Sequence, residues 1–245
     1  MGLLSGYGID LAVPSVVNWS VFHMRRIFNH VNSENFGLVG VSAVPFGYEL
    51  VNGNVVHKTA QINWDRVDIG VGNRIGPFCI IGGEAQHRYY SSCGDISIGD
   101  HNIFQEHVSV NLPTKISKNT KIGSGCFFMT SAVVHHDCLI EDDVTMCSNA
   151  SLGGSVIVMR GANIGMNASV HQFKTIGSYT IIGMNGCVIK GSNIRPGRKF
   201  AGVPVRDIGS NSIGLSRARI TEKLLQAEHK RFQAFNDHLK FGLGA

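Results

Sequence analysis

The sequence predicts an all-β solenoid, a parallel β-helix of hexapeptide repeats, and three observations predict it. Apolar residues recur at every sixth position from Ile98 through Phe104, Val110, Ile116, Ile122, Phe128, Val134, Ile140 and Met146. The same step continues through Leu152, Val158, Ile164, Val170, Ile176, Ile182, Val188 and Ile194 to Phe200. A helix repeats its apolar residues at three and four and a lone amphipathic strand at two, so neither yields this pattern. Small residues stand two positions ahead of several of these: Cys126, Ala132, Cys138, Ala150, Ala162 and Ala168, as a tight buried corner requires. Finally, 30 glycines against 6 prolines in 245 residues suit a chain that turns a corner every few residues.

Taken in order, residues 1–56 do not repeat. They are expected to form a mixed N-terminal cap over the strand edges that a solenoid leaves open. Val17–Val31 has the pattern of a short amphipathic helix, and the segment FGYELVNGNVV predicts a hairpin turned at Asn52-Gly53. The β-helix is expected over 57–204. Ile69-Gly70, Ile75-Gly76 and Ile81-Gly82 lie six apart, but Ile98-Gly99 follows seventeen residues later instead of eighteen. That slip falls in Gly83–Asp95 (GEAQHRYYSSCGD), a polar and aromatic stretch expected to leave the coil as a loop toward a ligand. Residues 205–245 form a C-terminal extension in which Ile220, Leu224, Leu225, Phe232, Phe235 and Leu239 predict a helix over Ser216–Phe241, packed on the last coils.

Composition narrows the function. The net charge of +5 favours anionic partners such as a nucleotide sugar or an acidic carrier protein, while 16% charged residues without a basic tail argue against nucleic acid. Six cysteines show neither CxxC pairs nor zinc-site spacing, and Cys126 and Cys138, at the inner corner, are expected to stay reduced. No basic-then-apolar leader and no apolar run of spanning length occur, so a cytoplasmic protein without a transmembrane segment is expected.

The flat walls of a β-helix leave chemistry to wall side chains, loops and the meeting of neighbouring subunits. His135-His136-Asp137 and His171-Gln172-Phe173 are the leading clusters. An aspartate beside a histidine orients the ring and stabilises its protonated form, which suits a general base. Two alternatives stand beside this one. His107, His136 and His171 offer three imidazoles to a metal, as in hexapeptide-type carbonic anhydrases, although their spacing does not set two ligands on one coil and one on the next. A non-catalytic scaffold would treat the histidines as surface.

Four strings carry a resemblance: KIGSGCFFMTSAVVHHDC, CSNASLGGSV, IGMNASVHQFKTIGSYTIIGMNGCVIKG and NSIGLSRARI. From Thr120 to Arg219 the chain resembles the UDP-N-acetylglucosamine O-acyltransferases of lipid A biosynthesis, and a weaker match reaches back to His57. The resemblance implies a left-handed coil, a homotrimer, no bound cofactor, and an acyl carrier protein or coenzyme A thioester as co-substrate. It implies His136 as catalytic base, Asp137 as its carboxylate and Gly154 as the oxyanion donor. It places His171 and Gln172 along the sugar and acyl region, Gln86 and His87 in the sugar-contacting loop, and Asn211 and Arg217 at the uridine diphosphate. Asn111, Val133 and Ser155 stand where that family has histidine, His87 where it usually has aspartate, and Arg88 or Tyr89 where its loop carries lysine. With the pocket so rebuilt, the expected activity is acyl transfer to a nucleotide-linked sugar, with N-acylation of an amino sugar favoured over O-acylation of UDP-N-acetylglucosamine.

Overall fold

A computed structural model describes residues 45–241; the helix expected over Val17–Val31 lies outside the described residues. The segment FGYELVNGNVV forms the expected hairpin, with β1 (Tyr48–Val51) antiparallel to β2 (Asn54–His57). Both turn residues, Asn52 and Gly53, have positive φ, the conformation that matches a tight two-residue turn to the twist of its strands. β2 is already the first strand of the coil, because Val55 and Val56 pair in parallel with Arg74 and Ile75. The repeat therefore starts slightly before His57.

The chain then winds left-handed through three walls. Among the described residues the first wall has ten strands, the second seven and the third six. Most strands are two residues long, one side chain pointing in and one out. Parallel register stacks each coil on the next. Phe128 pairs with Met146, Ile164, Ile182 and Phe200 in turn on the first wall. Val134, Leu152, Val170 and Val188 stack on the second, and Ile122, Ile140, Val158 and Ile176 on the third. Cys126, Ala132, Cys138, Ala150, Ala162 and Ala168 are buried at the inner corners as expected, and the six cysteines are free. Burial pushes the Cys138 thiol up to about 12, which leaves it inert. At one corner Asn54, Asn73 and Asn102 stack, each amide oxygen accepting the backbone N–H one coil on.

Among the described residues three coils are longer than eighteen residues, the first of them by a single residue, since Val56 pairs with Ile75 nineteen residues on. Ile98 pairs with Ile69 twenty-nine residues before it, and the surplus leaves the coil after Gly83. Ile122 pairs with Ile98 twenty-four residues before it, and its surplus leaves the coil after Asn111. The second excursion corrects the eighteen-position core. Seventeen of the eighteen residues are buried, but Ile116 is 42% exposed, out on the excursion. An insertion of six residues keeps the six-fold phase, so the pattern runs on through a residue that leaves the coil.

The C-terminal helix is also corrected. It is two helices, α1 (Ser212–Arg217) and α2 (Glu222–Phe241), and Ile220 lies between them. Leu224 is exposed, while Phe232 and Phe235 bury against Ile157 and Met159, with Leu139 alongside. α2 thus runs from the last coils, where Leu225 packs near Gly197 and Ser178 donates to Glu228, as expected, to the middle of the third wall. Arg231 pairs with Glu141 of that wall and with Glu228 of its own helix.

The exposure of Ile116 generates a prediction. Ile122→Ala is expected to destabilise by about 2–5 kcal/mol, the usual range for emptying a buried site. Ile116→Ala should change stability by no more than about 0.5 kcal/mol. Denaturant midpoints of the two variants against the unmodified chain check this.

Candidate active site

The corner between the second and third walls gathers most of the chemistry. His135–Cys138 turn it on one coil, Gly153–Val156 on the next and His171–Lys174 on the one after. Both excursions leave the coil at this same corner. Asp137, Ser155 and Phe173 all take positive φ there, a conformation that short polar residues such as aspartate tolerate better than most.

His136 and Asp137 are 5% and 2% exposed, and His136 Nδ1 lies 2.7 Å from Asp137 Oδ2. The carboxylate is held by the 112–118 excursion. Thr114 donates its backbone N–H to Oδ1 at 3.0 Å and its hydroxyl to Oδ2 at 2.7 Å. The Ser117 N–H donates to Oδ1 at 3.2 Å. Ser117 Oγ lies 2.7 Å from both Oδ1 and the Asn119 carbonyl, so its one hydrogen serves either. Burial raises the Asp137 pKa, but the hydrogen bonds from His136, Thr114 and Ser117 outweigh it and hold the carboxyl below its ordinary value. An ionised carboxylate only accepts, so His136 Nδ1 carries the hydrogen between them, and the neutral tautomer this selects has its lone pair on Nε2. Burial, and then His136 next to it, push His135 down from the ordinary histidine value.

Gly154 sits one coil on, against the His136 ring. A Cβ on Gly154 would lie 2.3 Å from Cε1 and 2.7 Å from Nε2 of His136, so glycine is required by space and not by backbone conformation. Its N–H makes no hydrogen bond to another described residue, whereas Ser155 N–H donates to the His136 carbonyl at 3.0 Å. The His136 ring thus fills the place where a side chain on Gly154 would stand. Ser155 is buried with its hydroxyl unpartnered. Asn111 is buried with Nδ2 donating to the Glu84 carbonyl, and its Oδ1 is also unpartnered.

His87 arrives from the first excursion, its ring centroid 5.2 Å from that of His136 and nearly perpendicular. The backbone N–H groups of Tyr89 and Tyr90 both donate to His87 Nδ1 at 3.1 Å, which leaves Nε2 as the nitrogen available to a ligand. The Tyr90 ring stacks on His87 at 4.6 Å, and Lys115 Nζ lies 4.5 Å from the same ring. A bridge between Ser92 and Thr114, and the Cys93 N–H to Pro113 carbonyl bond, tie the two excursions together. Gln86 is exposed on the first of them.

Not every expected residue joins this corner. His171 and Gln172 lie on the same corner but are exposed, and His171 Nδ1 is 2.9 Å from the Gln172 carbonyl. Asn211 lies at a different corner, between the third and first walls, where it donates to the Tyr179 carbonyl and caps α1 through Gly214 N–H. Both ends of its amide are therefore engaged within the fold. Arg217 ends α1 and is exposed. His107 stacks on Phe78, and among the described residues no three ligating side chains converge on a metal position. Thr114, Ser117, Tyr90 and Lys115 were not expected from the sequence. The signal available was Pro113 among polar residues, masked by the in-phase Ile116.

The lowered Asp137 sets a pH dependence. Its contribution to stability is full above the unfolded carboxylate range, about pH 4, and is lost as the pH falls through the depressed native value. Asp137→Asn is expected to unfold at lower denaturant than the unmodified chain at pH 7, with the gap closing in strong acid. Unfolding midpoints at a series of pH values measure it.

Comparison with known proteins adds relatives to this geometry. No protein-family profile matches the chain. The acyl-[acyl-carrier-protein]–UDP-N-acetylglucosamine O-acyltransferase of Gloeothece citriformis is 35% identical over 167 residues, covering 68% of this chain and 60% of that protein. Its counterpart from Synechocystis is 32% identical over the same shares. Among solved structures, a UDP-N-acetylglucosamine acyltransferase from Bacteroides fragilis superposes with a TM-score of 0.66 at 26% identity, over 78% of this chain and 76% of that one. One from Arabidopsis superposes with a TM-score of 0.62 at 24% identity, over 74% and 70%. The chain spans about 60% of the length of the curated relatives it matches, and within that span it is a left-handed hexapeptide β-helix similar to the UDP-N-acetylglucosamine O-acyltransferases.

Proposed function

We propose that the protein is an acyltransferase that moves an acyl group from a thioester to a nucleotide-linked sugar. The observation that carries this reading is the buried His136–Asp137 pair with Gly154 packed on the same ring, its backbone N–H unbonded to any other described residue. His136 Nε2 takes the proton from the sugar's attacking group as it adds to the thioester carbonyl. Gly154 N–H holds the oxyanion that forms, a contribution worth about 2.7–4 kcal/mol where such donors have been removed. Collapse of that intermediate expels the thiol, which takes up the proton from His136. Asp137 steadies the imidazolium between these steps.

The relatives are named for acyl carrier protein as donor and UDP-N-acetylglucosamine as acceptor, so this pair is the first to test. Acyl-coenzyme A is the second donor, and neither requires a bound cofactor. Amino-sugar N-acylation is a second reading. It is favoured by Asn111, Val133 and Ser155, none of which can add a further base to the corner. An amine needs less help than a hydroxyl to attack a thioester. A homotrimer is part of the proposal, because Asn211 and Arg217 lie away from the His136 corner of their own chain and would reach a sugar only from a neighbouring copy. Among the described residues no helix is long and apolar enough to cross a membrane, and the cytoplasm, where both thioesters are made, is the proposed compartment.

Mass spectrometry of a panel of nucleotide sugars incubated with acyl carrier protein and coenzyme A thioesters tests the reading. A nucleotide sugar heavier by one acyl group is expected, and His136→Ala should lower its rate of formation by about 10²–10⁴-fold. No acylated product from any pairing, or near-native turnover by His136→Ala, would overturn it. A sedimentation experiment that finds only monomer would remove the trimer from the proposal.

A further inference from the structure

The 112–118 excursion leaves the coil after Leu112, whose side chain still packs in the core. It adds six residues to a turn that other coils complete without them, and it exposes Ile116. What it does is close on Asp137. Thr114 reaches both carboxylate oxygens at once, backbone N–H to Oδ1 and hydroxyl to Oδ2, and is itself fully buried. Ser117 adds a backbone N–H on Oδ1 and places its hydroxyl within reach of the same oxygen. From beneath, the Asp137 N–H donates to Thr120 Oγ1 at 3.0 Å. Because the carboxylate oxygens already face two backbone donors and the Thr114 hydroxyl, a proton on the carboxyl would meet a donor whichever oxygen it chose. Oδ2 also faces His136 Nδ1 at 2.7 Å.

We propose that Thr114 and Ser117 are positioning residues for the reaction: by fixing the Asp137 carboxylate they keep the hydrogen of His136 on Nδ1 and its Nε2 lone pair toward the substrate. The role rests on the reading of His136 as the base. Neither residue touches the reacting atoms. Both act on the orientation and tautomer of a ring that one bond to Asp137 would otherwise hold alone. The Ser92–Thr114 bridge also joins this clasp to the loop that carries His87, so the two histidine rings at the site are held by one connected piece of backbone.

The test uses the full chain, with three single substitutions in the excursion and one double. Thr114→Val keeps the side chain's shape and removes the hydroxyl, Ser117→Ala removes the second hydroxyl, and Thr114→Ser keeps the first. The double variant Thr114→Val/Ser117→Ala is expected to lose about tenfold or more in kcat, part of what a general base supplies, with KM for both substrates little changed. Thr114→Ser should restore most of that loss beside Thr114→Val alone. A second readout does not depend on turnover: the hydrogen-bonded Nδ1–H proton of His136, assigned by its absence in His136→Gln, gives a downfield proton resonance. That resonance is expected to broaden or vanish in the double variant and persist in Thr114→Ser. If kcat and the resonance are unchanged in the double variant, the inference is overturned. It is equally overturned if KM rises and the unfolding midpoint falls while the resonance stays, the mark of a merely structural loop. If His136→Ala retains turnover, the functional reading fails, and the resonance still decides whether the clasp sets the tautomer.

Discussion

Parallel register between coils is the constraint on which everything else depends. Each backbone N–H on a wall donates to the coil beside it, so a side chain's place is set by its neighbours one turn away. Stacked apolar residues then fill the interior from Val56 to Val205 without a break. Such a fold is rigid at its walls and permissive at its corners, because a corner can lengthen without moving the strands on either side. The site uses that freedom. Both excursions leave from one corner, and the strands after each of them return to register with their predecessors.

The same register brings the reactive groups together. His136 and Gly154 are eighteen residues apart, and stacking puts the ring of one where the side chain of the other would be. Glycine there makes room for the imidazole and keeps a backbone N–H beside it. Asp137 follows His136 in the chain, yet its side chain is held from another coil by Thr114 and Ser117. Burial of that carboxylate opposes its charge, and several short hydrogen bonds restore it. A charged group kept dry in this way is a fixed electrostatic partner for the proton that His136 acquires.

Much of this was legible in the sequence, for particular reasons. Six-fold periodicity is a direct image of the coil, and Asn52-Gly53 is a direct image of a turn. The His136-Asp137 pair shows as adjacent residues and Gly154 only through the resemblance, while the six-fold phase sets His136 and Gly154 at matching offsets, two after Val134 and two after Leu152. Ile116 was misread because an insertion equal to the period leaves no trace in a periodic signal. Thr114 and Ser117 were invisible for the same reason, since their role depends on a loop that the pattern concealed. The C-terminal helix was drawn too long because Ile220 continues the helical spacing across a break that the chain makes at Ala218–Thr221. The resemblance places Asn211 at a ligand, and the structure adds that its amide caps a helix; an asparagine just ahead of a helix start is a common cap, so that local signal is present in the sequence.

The central claim is that the thioester carbonyl is attacked in the space between His136 Nε2 and the Gly154 N–H. A crystal structure with a non-hydrolysable acyl-thioester analogue tests it most directly. The account predicts the carbonyl oxygen about 2.7–3.1 Å from the Gly154 nitrogen, with the carbonyl carbon on the Nε2 side of the His136 ring. An analogue bound with its carbonyl away from this corner, or with its oxygen toward another donor, would contradict it.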